Sequence, residues 1–171
     1  MGRTTRRTEV SIASPSLGSA SRTHEWTLWA VAVACVAHPL EEFTTGWFAW
    51  ARSTLGLAVA PAVFVAANTF LALAAFRMAR VGWRSPALTL VIPSASLVNA
   101  LFFHILPTVI QRQRSPGVYT AALLYLPFST WALAGASRDG IDSKSIAAGF
   151  AGGTALMLIV FFGARTLGAT V

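Results

Sequence analysis

Charge is what this sequence has least of: only 11% of its 171 residues are Asp, Glu, Lys or Arg. A water-soluble domain carries about 25%. With 55% hydrophobic residues and a mean hydropathy of +0.62, the shortage points to lipid as the solvent. Cysteine is nearly absent as well. Cys35 stands alone, which excludes an internal disulfide and leaves the redox compartment open. Six acidic side chains face thirteen basic ones, and the net charge of +7 comes almost wholly from arginine. Those arginines are scattered between apolar runs rather than massed on one face. They read as topology signals and speak against a nucleic-acid footprint. At this length one domain is expected, and five spans of about 20 residues each would use most of the chain.

Residues 1–24 are rich in Ser, Thr and Arg, lack apolar periodicity, and read as a disordered tail. Arg6-Arg7 invites a twin-arginine reading, but a long polar stretch separates the pair from the next apolar run, and no small-residue cleavage site closes that run. An uncleaved anchor is the expectation. Four stretches free of Asp, Glu, Lys and Arg exceed the roughly 18 residues a span needs: 53–76, 85–111, 115–137 and 145–164. A fifth, 26–40, is interrupted by Glu41-Glu42 before apolar character resumes in Phe43, Trp47, Phe48 and Trp50. It spans only if the two carboxylates lie in or at the edge of the hydrocarbon. The expected architecture is therefore an all-α, polytopic membrane bundle over 25–166, with five helices near 26–50, 55–77, 87–110, 116–136 and 145–164.

Nine Lys and Arg residues fall on one set of segments (Arg3, Arg6, Arg7, Arg22, Arg77, Arg80, Arg84, Arg138, Lys144) and four on the other (Arg52, Arg112, Arg114, Arg165). Positive charge is retained inside, which gives an N-in, C-out orientation in the cell membrane. Trp26 and Trp29 at one end of the first helix, and Trp47 and Trp50 at the other, fit interfacial belts. Pro61, Pro93 and Pro127 lie inside apolar runs, as membrane helices tolerate. Gly149 and Gly153 read as close packing against a neighbouring helix rather than as a dimer motif. Arg112 and Arg114 read as solvated charges at a helix end.

The chemistry concentrates in His38-Pro39-Leu40-Glu41-Glu42. On a helix the offsets i, i+3 and i+4 put all three ionisable groups on one face. Pro39 removes a donor and crowds the carbonyl of Cys35, so a local bend is expected. A carboxylate at the bilayer centre costs roughly 2.5–3.5 kcal/mol, and two adjacent ones repel. Protonation, pairing with a cation or binding a metal relieves the cost. Asn99 and His104, among Leu101, Phe102 and Phe103, have no local reason to be polar. The topology sets them at the depth of His38, with Thr120 and Tyr125 at the same level and Asn68 nearer the midplane.

These residues resemble the signature of the HXXEE family of bacterial integral membrane proteins. The likeness runs over about 26–165: the HxxEE pentad, Asn68, Asn99 with His104, Ser115-Pro116-Gly117, Thr120, and a Leu-Tyr-Leu-Pro run ending at Pro127. The resemblance implies that the His and Glu residues form an active or metal site. It implies no particular reaction.

The expected function is that of a membrane-embedded enzyme acting on a lipid-soluble substrate through His38, Glu41, Glu42 and His104. In one version those four bind a divalent ion, zinc or iron, with Asn68, Asn99, Thr120 and Tyr125 behind them. In a metal-free version a buried carboxyl donates a proton and a histidine or the second carboxylate removes one, as in an isomerase or cyclase. A proton-coupled transporter or channel uses similar groups, although five helices without an inverted repeat suit alternating access poorly. A purely structural polar staple is the remaining reading. The expected partners are the bilayer and a lipid-soluble small molecule, and no nucleic acid.

Overall fold

The computed structural model of the chain describes residues 22–168, and all regular structure among them is helical. Five long helices succeed one another: α1, Trp26–Thr44, then α2, Pro61–Arg84, α3, Pro86–Gln111, α4, Val118–Arg138, and α5, Ser143–Thr166. The last four are long and apolar enough to cross a membrane. α1 packs against α2 and α4, while α3 packs against α4 and α5. α3 is the central helix: 56% of its most apolar window is buried, against 11% of that of α5. The outer faces of α2 and α5 carry exposed Phe70, Leu73, Ile159 and Phe162. Water would disfavour such faces and lipid does not.

Three expected boundaries shift for local reasons. The first segment is expected to run unbroken over 26–50, but α1 stops at Thr44 because Gly46 sits at φ +88°. A short helix, Trp47–Trp50, then leads into a widened π turn, Ala51–Leu55. The second span is expected from 55. Gly56 in the left-handed region ends the π turn instead, and Pro61 starts α2 at the first helical position, where its missing N–H costs nothing. Finally, residues 1–21 of the expected tail lie outside the described residues, whereas residues 22–24 are ordered. The reason is Asp139, which anchors His24.

Helix α3 is not uniform. Residues Asn99–Ile105 form a π segment, as do Ala121–Tyr125 in α4, and each ends two residues before a proline, Pro107 or Pro127. A proline cannot donate to the carbonyl four residues back, and the wider turn lets the preceding backbone re-pair. One extra residue per turn rotates every later side chain of the helix by about 100° on an α-helical period. The glycines of α5 behave as expected of close packing: a Cβ at Gly149 would meet Leu90 Cβ at 2.6 Å, and one at Gly153 would meet Ser94 Cβ at 2.5 Å.

The end of the bundle formed by the start of α1, the α2–α3 turn and the end of α4 is tied by a polar knot. Asp139 accepts from His24 N at 2.8 Å, from His24 Nδ1 at 2.7 Å and from Trp83 Nε1 at 2.8 Å, while Glu25 Oε1 accepts from Trp83 N at 2.7 Å. Burial pushes the Asp139 carboxyl up, but the His24 and Trp83 hydrogen bonds outweigh it and hold the group below its ordinary range. A carboxylate depressed in the folded state contributes stability that is complete at neutral pH and is lost as pH falls through its folded titration. Asp139→Ala is expected to destabilise the protein by about 1–3 kcal/mol, because the buried Trp83 indole loses its acceptor. Thermal unfolding in detergent at pH 7 checks this, and the gap to wild type should narrow on acidification.

Candidate functional site

The other end of the bundle gathers the remaining ionisable groups. Along α1, Leu28, Val31, Cys35, His38 and Glu42 are all buried, a stripe spaced 3, 4, 3, 4 that faces the core. His38 and Glu42 are its last members. His104 arrives from the π segment of α3, and its ring meets that of His38 edge-on at 4.7 Å. His38 Nε2 lies 3.7 Å and His104 Nε2 3.4 Å from the same oxygen, Glu42 Oε1. One donor atom from each of the three residues fits within 4.8 Å, close enough to hold a metal ion.

The loop between α3 and α4 closes over this cluster. Ser115, Pro116 and Gly117 are buried, and a Cβ on Gly117 would stand 2.8 Å from Glu42 Cγ, 2.9 Å from His38 Cε1 and 3.0 Å from His104 Cε1. On the remaining sides Tyr125 places its ring 4.4 Å from that of His38, and Trp50 lies nearly parallel to His104 with ring centroids 6.4 Å apart.

A hydroxyl stands behind each imidazole. The Thr120 hydroxyl has one proton and its shortest contact is Glu41 Oε2, at 2.6 Å. A carboxylate only accepts, so that proton goes to Glu41 and the Thr120 oxygen accepts from His38 Nδ1 at 2.9 Å. Ser115 holds the matching place behind His104. Its hydroxyl donates to the His104 carbonyl at 3.2 Å, and its oxygen lies 3.3 Å from His104 Nδ1. This arrangement puts an N–H at His38 Nδ1, while the Ser115 contact fits either tautomer of His104, and the Nε2 atoms of both rings face one Glu42 carboxyl oxygen. Both separations are longer than a good hydrogen bond, and His38 Nε2 is buried with no hydrogen-bond partner. Two donors held about 2.0–2.1 Å from one tetrahedral ion stand about 3.3 Å apart, close to the spacing found here.

Glu41, expected in the same cluster, stands outside it. It lies off the buried stripe, and its carboxylate caps the start of α4 by accepting from Tyr119 N at 3.2 Å and Thr120 N at 2.7 Å. Asn68, expected behind the site, donates instead to the Phe64 carbonyl of its own helix at 2.9 Å. Asn99 opens the π segment that delivers His104. Thr120 and Tyr125 do contact His38. Ser115, Gly117 and Trp50 are site residues that the sequence did not single out; of these, only the buried serine and glycine lie inside a motif that it offered.

A family model described as a protein of unknown function with HXXEE motif matches residues 29–132, more than half of the chain. The chain belongs to the HXXEE family. No curated protein and no solved structure matches it. All three clustered residues fall within the matched HXXEE region, as do Glu41, Ser115, Gly117 and Thr120. In this HXXEE chain the first glutamate of the pair caps a neighbouring helix and the second joins the histidines. The motif's spacing thus serves two tasks at once.

Proposed function

We propose that this chain is a membrane-embedded enzyme in which His38, Glu42 and His104 hold a divalent ion, zinc or iron, for chemistry on a lipid-soluble substrate. The observation that carries the reading is the convergence of two imidazole Nε2 atoms, one of them buried without a hydrogen-bond partner, on a single Glu42 oxygen. Metal-ligating histidines regularly donate their other ring N–H to a fixed acceptor, and the Thr120 and Ser115 hydroxyls stand at the two Nδ1 atoms here. Two histidines and one carboxylate form a ligand set of catalytic zinc and of non-haem iron, with a position left open. An ion there would supply Lewis acidity and activate water. Support for an apolar substrate comes from the exposed apolar faces of α2 and α5. A pocket of about 580 Å³ lined by Phe48, Ala49, Arg52 and Ser53 also opens on the segment joining α1 to α2. In this reading α1 is a fifth span, with the N-terminus inside, as the nine-to-four charge asymmetry suggests.

Metal content by mass spectrometry on detergent-purified protein tests the proposal. Near-stoichiometric zinc or iron is expected in wild type and none in His38→Ala or His104→Ala. A metal-free wild type after purification without chelator would overturn it and leave proton-transfer catalysis or proton-coupled transport by the same groups. A further expectation concerns Thr120. Thr120→Val frees the His38 ring and removes one donor from Glu41, and should weaken metal binding roughly 10–100-fold in competition with a chromophoric chelator. Thr120→Ser keeps the hydroxyl and should retain most of the affinity.

A further inference from the structure

Among the described residues three buried side-chain polar atoms lack a hydrogen-bond partner: His38 Nε2, Trp50 Nε1 and Ser129 Oγ. Two of these three belong to rings packed on one imidazole, that of His104. His38 meets it edge-on, and Trp50 lies at 16° to its plane. A cation at the cluster satisfies the His38 lone pair. It cannot satisfy Trp50, because an indole N–H is a donor and needs a lone pair. The three protein ligands leave room for a fourth, and an oxygen bound there would bring that lone pair to the edge of the His104 ring.

We infer that Trp50 is a substrate-positioning residue, its indole N–H donating to an oxygen of the substrate held at the His38/Glu42/His104 cluster. The inference rests on the metal reading and extends it to the class of ligand: an amphiphile with an oxygenated head and an apolar body. The body is argued from the company Trp50 keeps. Its neighbour Trp47 meets Phe64 at 5.0 Å with the rings tilted by 43°, and Phe48 contacts Phe64 at 5.2 Å and Phe43 at 5.7 Å, which builds an aromatic wall on the same short segment. Gly46 and Gly56, both at positive φ, bound that segment and fix where it starts and stops. The indole is thereby held by backbone geometry as well as by stacking.

The test uses the full chain in detergent, loaded with Co²⁺ and titrated with octanohydroxamate, with binding read from the cobalt visible spectrum. Trp50→Phe keeps an aromatic ring on His104 and removes only the donor, so it should retain cobalt and bind the probe about tenfold more weakly. In zinc-loaded wild type the Trp50 indole proton, identified by its nuclear Overhauser contacts to the His104 ring, should move downfield as the probe binds. This second readout decides the matter even where the variant fails to fold. Retained cobalt with unchanged probe affinity, or an indole resonance that does not move, overturns the inference and leaves the metal site standing. Failure of wild type to hold cobalt overturns the metal reading, and this inference with it.

Discussion

At alkaline pH, Glu42→Gln is expected to stabilise the metal-free protein and to destabilise the metal-loaded one. Without an ion and with Glu42 ionised, as at alkaline pH, its carboxylate oxygen faces two imidazole nitrogens at 3.4 and 3.7 Å with no carboxyl proton to bond them. A glutamine at the same place can donate through its amide to one or both Nε2 atoms. Each hydrogen bond so gained contributes about 1 kcal/mol, and each buried acceptor rescued avoids a cost of about 1–3 kcal/mol. The variant should therefore melt above wild type in chelator. With ion present the order reverses. The anionic ligand is gone from the variant, whereas wild type gains about 2.7 kcal/mol at a free metal concentration one hundred times the dissociation constant. Paired thermal melts with and without metal make the measurement. A structural staple predicts that Glu42→Gln lowers stability in both conditions, so a loss in chelator would decide against the metal reading.

The second large effect is expected at Gly117, on the loop over the cluster. Its φ of +90° carries a cost of about 1–3 kcal/mol for a residue with a Cβ. Crowding adds a comparable amount, because the three atoms nearest that Cβ belong to Glu42, His38 and His104. Relief is possible only by moving the ligands apart. Gly117→Ala should thus lose about 2–5 kcal/mol and most of its metal together. Gly46→Ala separates the two causes. Gly46 has nearly the same φ, +88°, and nothing within 4 Å of its would-be Cβ, so its replacement should cost the backbone strain alone and leave metal content intact. Equal metal loss in both variants would show that the crowding at Gly117 has no special bearing on the site.

How far the site was legible in the sequence is clearest for the two glutamates. Spacing alone allowed Glu41 and Glu42 equal claims, since i+3 and i+4 both lie near the face of His38. The distinction was nevertheless present in the chain. Leu28, Val31, Cys35, His38 and Glu42 continue one 3-4 stripe, and Glu41 falls outside it. His104 was identifiable as an anomaly, a charged-capable residue between Phe103 and Ile105, but its direction was not. It lies in a π segment, and a helix that gains a residue per turn no longer obeys the 3.6 period by which faces are assigned. Pro107 and Pro127 were the available signal, as each comes two residues after its π segment. Asn68 was misplaced for a plainer reason: an amide four residues after Phe64 can satisfy itself on its own helix.

By itself the sequence determined the solvent, the helical class and the residue types of the site. Scarcity of charge and long apolar runs leave only helices able to satisfy their own backbone in lipid, whatever the arrangement of those helices. It also raised the expectation that the polar residues of α1 and α3 find one another, because an unpaired ionisable group in hydrocarbon is costly to keep. Only the tertiary structure decided which groups converge and which hydroxyls stand behind them. That choice depends on hydroxyls brought from the α3–α4 loop and the start of α4: Ser115 behind His104, and Thr120 between Glu41 and His38. It also decided that a tryptophan expected at the interface lies on His104, and that an aspartate at the far end, Asp139, joins three segments of chain. The bonds from Thr120 to Glu41 and from His24 to Asp139 span 79 and 115 residues, and no local pattern encodes a partner at that separation.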